Sequence, residues 1–366
     1  MIPAATRPEP ALRGPQLGAK RRRATRFGKA VARFGAGVGV IRLSLFLWLR
    51  SYWRGRQLVR FFGGRGGGQK SGPVAIVPYY GNEALLPAFL DHHRRLGIEE
   101  FVFLDLSAGR KLGAVLAGES DCAVWLAPLG AAPQRALDWL NHLRRRYGCG
   151  RWCLSLEPNE LLVYRHCETR QVADFTAFLE TERRDHVYAL LVDLYGDKPA
   201  AGLRLEKGED PLSVLPYFDP LGYITSGPHR YRNVIARGGV RRRTLYCEAP
   251  RQSPALNRIP LVKWRWYYVY AAGTRLLMPP RLNTSHSNWH SSPTACLLSL
   301  ALLDSDEGLV RAWLSEEGQV AAAGGRLSNP GLMELRRRPL KEDVSARFCG
   351  SESLVACGLI NPGQWF

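Results

Sequence analysis

Residues 74–80 read VAIVPYY, a continuous apolar run about as long as one strand. A run of that kind suits a strand buried on both faces of a parallel sheet. The period then changes: Leu85, Leu86, Phe89 and Leu90 recur at helical spacing and Gly97 follows, which predicts a helix over 83–96. The alternation continues. Strands are predicted over 101–104 (FVFL), 122–126 (CAVWL), 152–156 and 187–194 (VYALLVDL), with helices over 134–147 and 175–182. Strands alternating with helices at this spacing predict an α/β fold with a doubly wound, mostly parallel sheet and flanking helices, whose ligands sit beyond the carboxyl ends of the strands. A further helix over 304–319, with Leu309, Val310, Trp313 and Leu314 on one face, is expected to cover the sheet and lead into a helical C-terminal extension.

The N-terminal pattern is different. Residues 1–35 are rich in Pro, Arg, Ala and Gly without sustained period, which reads as a disordered basic arm. Within 36–60 lies VGVIRLSLFLWLRSYW, whose apolar run is broken by Arg42 and ended by Arg50. It is too short and too charged to span a bilayer, and no small-residue cleavage site follows it. A helix packed on the domain and an amphipathic helix lying on an anionic membrane surface both fit. The stretch 61–72, FFGGRGGGQKSG, reads as a linker. A domain over 73–320 and an extension over 321–366 complete the division. The expected location is cytoplasmic, with the chain either free or peripheral on the inner face of the membrane.

Composition narrows the partners. The 366 residues are 46% hydrophobic, enough for a substantial core, and carry a formal charge of +19. Such a balance calls for an anionic partner. The arginines come in short clusters, such as Arg144 to Arg146 and Arg241 to Arg243, rather than interleaved with aromatics, which argues against nucleic acid. The eight cysteines form no CxxC pair, as expected of buried thiols in a reducing compartment and not of a zinc site.

The stretch 153–164, CLSLEPNELLVY, interrupts two strand-like runs with Glu157, Pro158, Asn159 and Glu160. It can be a plain turn, or a strand end presenting hard oxygen ligands to a cleft. Glu83, Asp105 and Asp193 also fall at or just past strand ends. In a parallel sheet they would gather along one edge, a concentration suited to metal and phosphate chemistry.

Four blocks carry a resemblance. Asn82-Glu83 after the first strand, His92-His93 and Leu96-Gly97 in the first helix and FVFLD after it are followed by LSLEPNELLVY, LLVDLYGDKP and PALNRIPLVKWRWYYVY. In that order they resemble the bacterial branch of family 2 glycosyltransferases with the GT-A fold, over roughly residues 73–320. The resemblance implies transfer of a sugar, with inversion, from a nucleotide-diphosphate sugar to a saccharide or glycoconjugate acceptor.

It also implies nucleotide binding by Val77, Tyr79, Glu83, Asp105 and Glu157. Glu157 and Asn159 would hold a divalent Mg or Mn ion in the places of the family's Asp-x-Asp acids, and Asp193, with Asp197 second, would act as the catalytic base. Here the motif reads Glu-Pro-Asn, one charge fewer. Two classes follow: an enzyme in which arginines or lysines such as Arg110, Lys111 or Arg281 take over from the metal, or a non-catalytic relative that binds a nucleotide, a sugar or a partner protein.

Overall fold

The computed structural model describes residues 26–63, 72–130, 135–206, 208–226, 235–272, 275–278, 293–305, 308–309, 311 and 335–365, with side chains from residue 39 onward except at Ser226. In chain order the elements are α1 (Arg26–Gly55), β1 (Val59–Phe62), β2 (Val74–Tyr79), α2 (Leu86–Arg95), β3 (Glu100–Asp105), α3 (Leu112–Val115), β4 (Cys122–Leu126), α4 (Ala136–Gly148), β5 (Trp152–Ser155), β6 (Glu160–Tyr164), α5 (Val172–Thr181) and β7 (Ala189–Asp193). There follow α6 (Pro211–Val214), β8 (Tyr217–Phe218), β9 (Ile224–Ser226), β10 (Ile235–Arg237), α7 (Gly239–Leu245), β11 (Asn257–Arg258), β12 (Leu261–Lys263), β13 (Val269–Ala272), β14 (Arg275–Leu277), β15 (Ala295–Ser299), β16 (Ala346–Arg347) and α8 (Ser351–Ala356). Two compact units divide the chain, Met1–Gly39 and Val40–Phe366, and every sheet lies in the second.

The main sheet has the order β1-β4-β3-β2-β5-β12. Its centre, β4-β3-β2-β5, is parallel, and β1 and β12 close the edges antiparallel. The side chains alternate as a strand buried on both faces requires: Ala75, Val77 and Tyr79 join the core that includes α2, whereas Val74 and Ile76 join a second core with Trp139 of α4. Gly97, at φ 87°, ends α2 in a left-handed turn that an L side chain would strain.

A second sheet has the order β11-β7-β15-β6, with β15 parallel to β7 and antiparallel to β6. The architecture is thus mixed α/β with several sheets rather than one parallel sheet. The strand predicted over 187–194 lies in this second sheet, because its apolar run finds its partners in β15 and β11. The chain leaves the first sheet through β5 and enters the second through β6, so residues 156–159 are the crossing between sheets.

Other boundaries differ from the sequence pattern. Residues 26–35, read as part of the disordered arm, are helical in α1, and Phe61 and Phe62, read as linker, belong to β1, where pairing with β4 satisfies their backbone. The rest of the arm (1–25) and of the linker (64–71) lies outside the described residues, as does most of the predicted helix over 304–319. Instead of a purely helical extension, the C-terminal segment adds β16 to β8, and Trp365 packs on Tyr164, Phe175 and Phe178. It belongs to the main core.

The two sheets are joined by a detail of α2. His92 Nε2–H donates to the Leu162 carbonyl at 2.8 Å, and His93 Nδ1–H donates to the Phe89 carbonyl at 2.8 Å. That tautomer leaves His93 Nε2 to accept the Leu162 N–H at 3.4 Å. Two successive histidines therefore satisfy both backbone groups of one residue on the edge strand β6. Burial first, and then His92, holds the His93 imidazolium well below its usual range, and burial likewise lowers His92.

A buried histidine that stays neutral in the fold takes up a proton only on unfolding, so the native state should weaken as pH falls below the ordinary histidine value of about 6.5. His93 alone contributes a slope of about 1.4 kcal/mol per pH unit below that point. Urea unfolding at pH 7 and pH 5 should show the loss, and His93→Leu should flatten it; an equal slope in the variant would remove His93 as the cause.

Candidate functional site

The order β4-β3-β2-β5 places the topological switch point between β2 and β5, since the chain moves outward from β2 in one direction and then returns to its other side. The loops beyond those carboxyl ends are 80–85 and 156–159, and Asp105 closes the neighbouring β3. Parallel register pairs Tyr79 with Asp105, so both side chains emerge on the same face.

Two buried polar atoms there are without partners. Asp105 Oδ1 accepts from Ser107 N at 2.9 Å and from Ser107 Oγ at 2.6 Å, but Asp105 Oδ2 has no hydrogen-bond partner among the described residues. Nor has the Tyr79 hydroxyl, although both residues are about 1% exposed. Burial first, then the fields of Glu83, Asp105 and Asp304, raises the Tyr79 phenol far above its usual range, so it remains a proton donor. An orphaned buried acceptor and an orphaned buried donor each cost about 1–3 kcal/mol, and a ligand with the complementary groups would recover that.

The stretch 157–160 is a turn as well as a strand end. Glu160 N–H donates to the Glu157 carbonyl at 3.0 Å, while the Glu160 carboxylate accepts from Glu157 N–H at 2.9 Å. Pro158 occupies the second turn position, which its fixed φ favours. Asn159 is 3% exposed and its Nδ2 donates to Asp304 Oδ2 at 2.8 Å. Asn82 Nδ2 donates to Asp304 Oδ1 at 3.0 Å, and Ser305 N–H donates to the same oxygen at 2.7 Å. A carboxylate only accepts, so the orientation of both amides follows. One buried acid thus ties the loop after β2, the crossing turn and the end of β15 together.

Beside the turn lies Arg311, its guanidinium carbon 3.6 Å from the centre of the Tyr80 ring and its Nε 3.6 Å from Glu157 Oε2. That Nε has no hydrogen-bond partner among the described residues. Glu83 is exposed and lines an open groove of about 740 Å³ with Asp91, His92 and Arg95 of α2 and the segment 205–212.

The expected site residues divide accordingly. Tyr79, Asp105 and Glu83 gather at the switch point, with Glu157 and Asn159 on its β5 side. Val77 is fully buried and packs in the core. Asp193 is 4% exposed at the end of β7, and both of its oxygens are engaged, Oδ2 by Arg241 Nε and Oδ1 by Arg241 Nη2, each at 2.7 Å. Asp197 is exposed in the loop after β7. Arg110 is bonded to the Ala127 carbonyl just past β4, and Arg281 lies outside the described residues.

For a divalent ion the donors fit poorly. Glu157 already faces the Arg311 cation and Glu160 closes the turn, while Asn159 holds Asp304 through Nδ2 and has only its neutral carbonyl oxygen to offer an ion. Among the described residues no three His, Cys, Asp or Glu side chains converge as a ligand set.

Neither Asp304 nor Arg311 was visible from the sequence. Asp304 acts through partners 222 and 145 residues away, and Arg311 lies in a stretch read only for its apolar face.

No family profile matches this chain, and no curated protein matches it. Among solved structures, S. aureus TarS 1–349 aligns at 18% identity over 36% of this chain and 37% of that one, with a TM-score of 0.26. UDP-glucose pyrophosphorylase from Acinetobacter baumanii aligns at 10% identity over 46% of this chain and 67% of that one, with a TM-score of 0.22. The chain therefore spans little more than a third of the TarS structure, and neither overlap bears on what it does.

Proposed function

We propose that this chain binds a nucleotide-diphosphate sugar at the switch point between β2 and β5 and transfers the sugar to a saccharide or glycoconjugate acceptor, with Arg311 rather than a metal ion meeting the diphosphate. The observation that supports the reading is the pair of buried polar atoms without partners among the described residues, Tyr79 O–H and Asp105 Oδ2, at the carboxyl ends of the parallel strands β2 and β3. Asp105 Oδ2 suits an N–H or O–H of a base or ribose. Tyr79 suits an acceptor atom beside it.

In the transfer, the acceptor oxygen bonds to the anomeric carbon as the bond from that carbon to the diphosphate oxygen breaks. The leaving diphosphate gains negative charge, which the forked guanidinium of Arg311 is suited to stabilise. The acceptor proton passes to a carboxylate. Asp193 is committed to Arg241, so Glu83, exposed between the switch point and the 740 Å³ groove, is the better-placed base in this reading.

Calorimetric titration with UDP, GDP and CDP, each with and without Mn²⁺, tests the proposal. Binding of at least one should appear, be indifferent to the ion, and weaken about tenfold in Asp105→Ala, where the orphaned acceptor is gone. Absence of binding to all three would overturn it. A second reading has support in the same turn: Glu-Pro-Asn carries one charge fewer than the motif it resembles, and a chain with that change can hold a nucleotide without turning it over. Binding without donor hydrolysis or transfer would select that reading.

A further inference from the structure

Helix α1 carries more apolar surface than its docking on the domain covers. Its inner face packs Leu43 and Leu47 on Val269 and Leu277, buries Ser44 and Ser51 and sets Arg50 and Arg54 against the buried Asp138 of α4, with Arg50 Nη2 at 3.0 Å from Asp138 Oδ1. Arg145 of α4 adds a bond from Nη2 to Ser51 Oγ at 3.0 Å. The outer face carries Ile41, Leu45, Phe46, Leu49, Tyr52 and Trp53, each between 40% and 62% exposed. At 3.6 residues per turn these six share a sector of about 140°. The helix therefore docks through a mixed inner face, and its outer apolar sector meets no partner among the described residues.

We propose that this face lies on an anionic lipid bilayer. Charge selects that occupant over a second copy of the chain. The sector itself contains Arg42, and Arg56 at the helix end lies 4.6 Å from the centre of the Trp53 ring and 5.1 Å from that of Tyr52, a cation–aromatic pairing suited to the headgroup level. The 38 residues that lead to the face hold nine Arg or Lys against the single acid Glu9, in a chain of net charge +19. Two such arms repel each other across a dimer, whereas each basic residue near an anionic membrane adds attraction. No helix among the described residues is long and apolar enough to cross a membrane, so the face rests in the interface. An acceptor carried on a lipid would then be brought to the same surface as the enzyme.

Co-sedimentation of the full chain with vesicles of phosphatidylcholine alone, or of equal parts phosphatidylcholine and phosphatidylglycerol, tests the inference. The chain should pellet with the anionic vesicles, less so at high salt. The double variant Phe46→Ser/Trp53→Ser should partition about tenfold less or weaker still, with nucleotide affinity unchanged. Bromine-labelled acyl chains should quench the tryptophan fluorescence of the wild-type chain, a readout that needs no substitution. Failure to pellet, equal pelleting of the variant, or absence of quenching would each overturn the proposal. So would a wild-type dimer in sedimentation velocity that the double variant abolishes, which would make the face an interface between copies. Because the apolar face and the switch point are read separately, loss of vesicle binding with intact nucleotide binding sinks only the membrane inference.

Discussion

Arg311→Ala is expected to weaken nucleoside-diphosphate binding by about ten- to a hundredfold, with or without Mn²⁺, while leaving the unfolding transition nearly unchanged. The side chain stacks on Tyr80 and its Nε stands 3.6 Å from Glu157 Oε2 without a hydrogen bond among the described residues, so it contributes little that the fold needs. Arg311→Lys should recover part of the loss, since it keeps the charge and forfeits the planar fork. The partner substitution gives the sharper discrimination because the two readings predict opposite signs. If Glu157 held a divalent ion, Glu157→Gln would remove a ligand and weaken binding in the presence of the ion. If Glu157 balances Arg311, the same change frees the guanidinium and leaves diphosphate affinity equal or a few-fold stronger. A metal-dependent loss in Glu157→Gln, measured by calorimetry, would return the diphosphate to a metal site.

Much of the main sheet was legible from the apolar runs because its central strands are buried on both faces, and their composition reports that directly. VAIVPY and FVFLD occupy β2 and β3 within a residue of their expected bounds. What escaped was partnership at long range. The run over 187–194 reveals a buried strand but not which sheet it joins. Asn82 and Asn159 look like turn residues until Asp304 is brought between them. Charge was misleading in the same way. The triplet Arg241 to Arg243 reads as a solvated cluster, yet Arg241 is 1% exposed, and Arg144 in another triplet is 5% exposed and bonded through Nε to Ser155 Oγ at 2.8 Å. Composition counts these as surface charge because it cannot tell which arginine of three turns inward.

The buried pair gives the largest expected effect on stability. Asp193 and Arg241 meet through two parallel bonds of 2.7 Å, with the side chains 3% and 1% exposed. Truncating Asp193 to alanine would leave the guanidinium charged in a dry interior, at a cost of about 3–5 kcal/mol. In a chain of this size that corresponds to a fall in Tm of roughly 10 °C, measurable by calorimetry or circular dichroism. The coupled replacement Asp193→Leu/Arg241→Met removes both charges together and should regain most of the loss, because the desolvation penalty disappears with the pair. A catalytic base would behave differently. Asp193→Ala would then melt near the wild-type temperature and lose turnover alone, and the double replacement would restore nothing. Reading Tm and turnover on the same three variants separates a carboxylate that holds α7 against β7 from one that takes a proton from the acceptor.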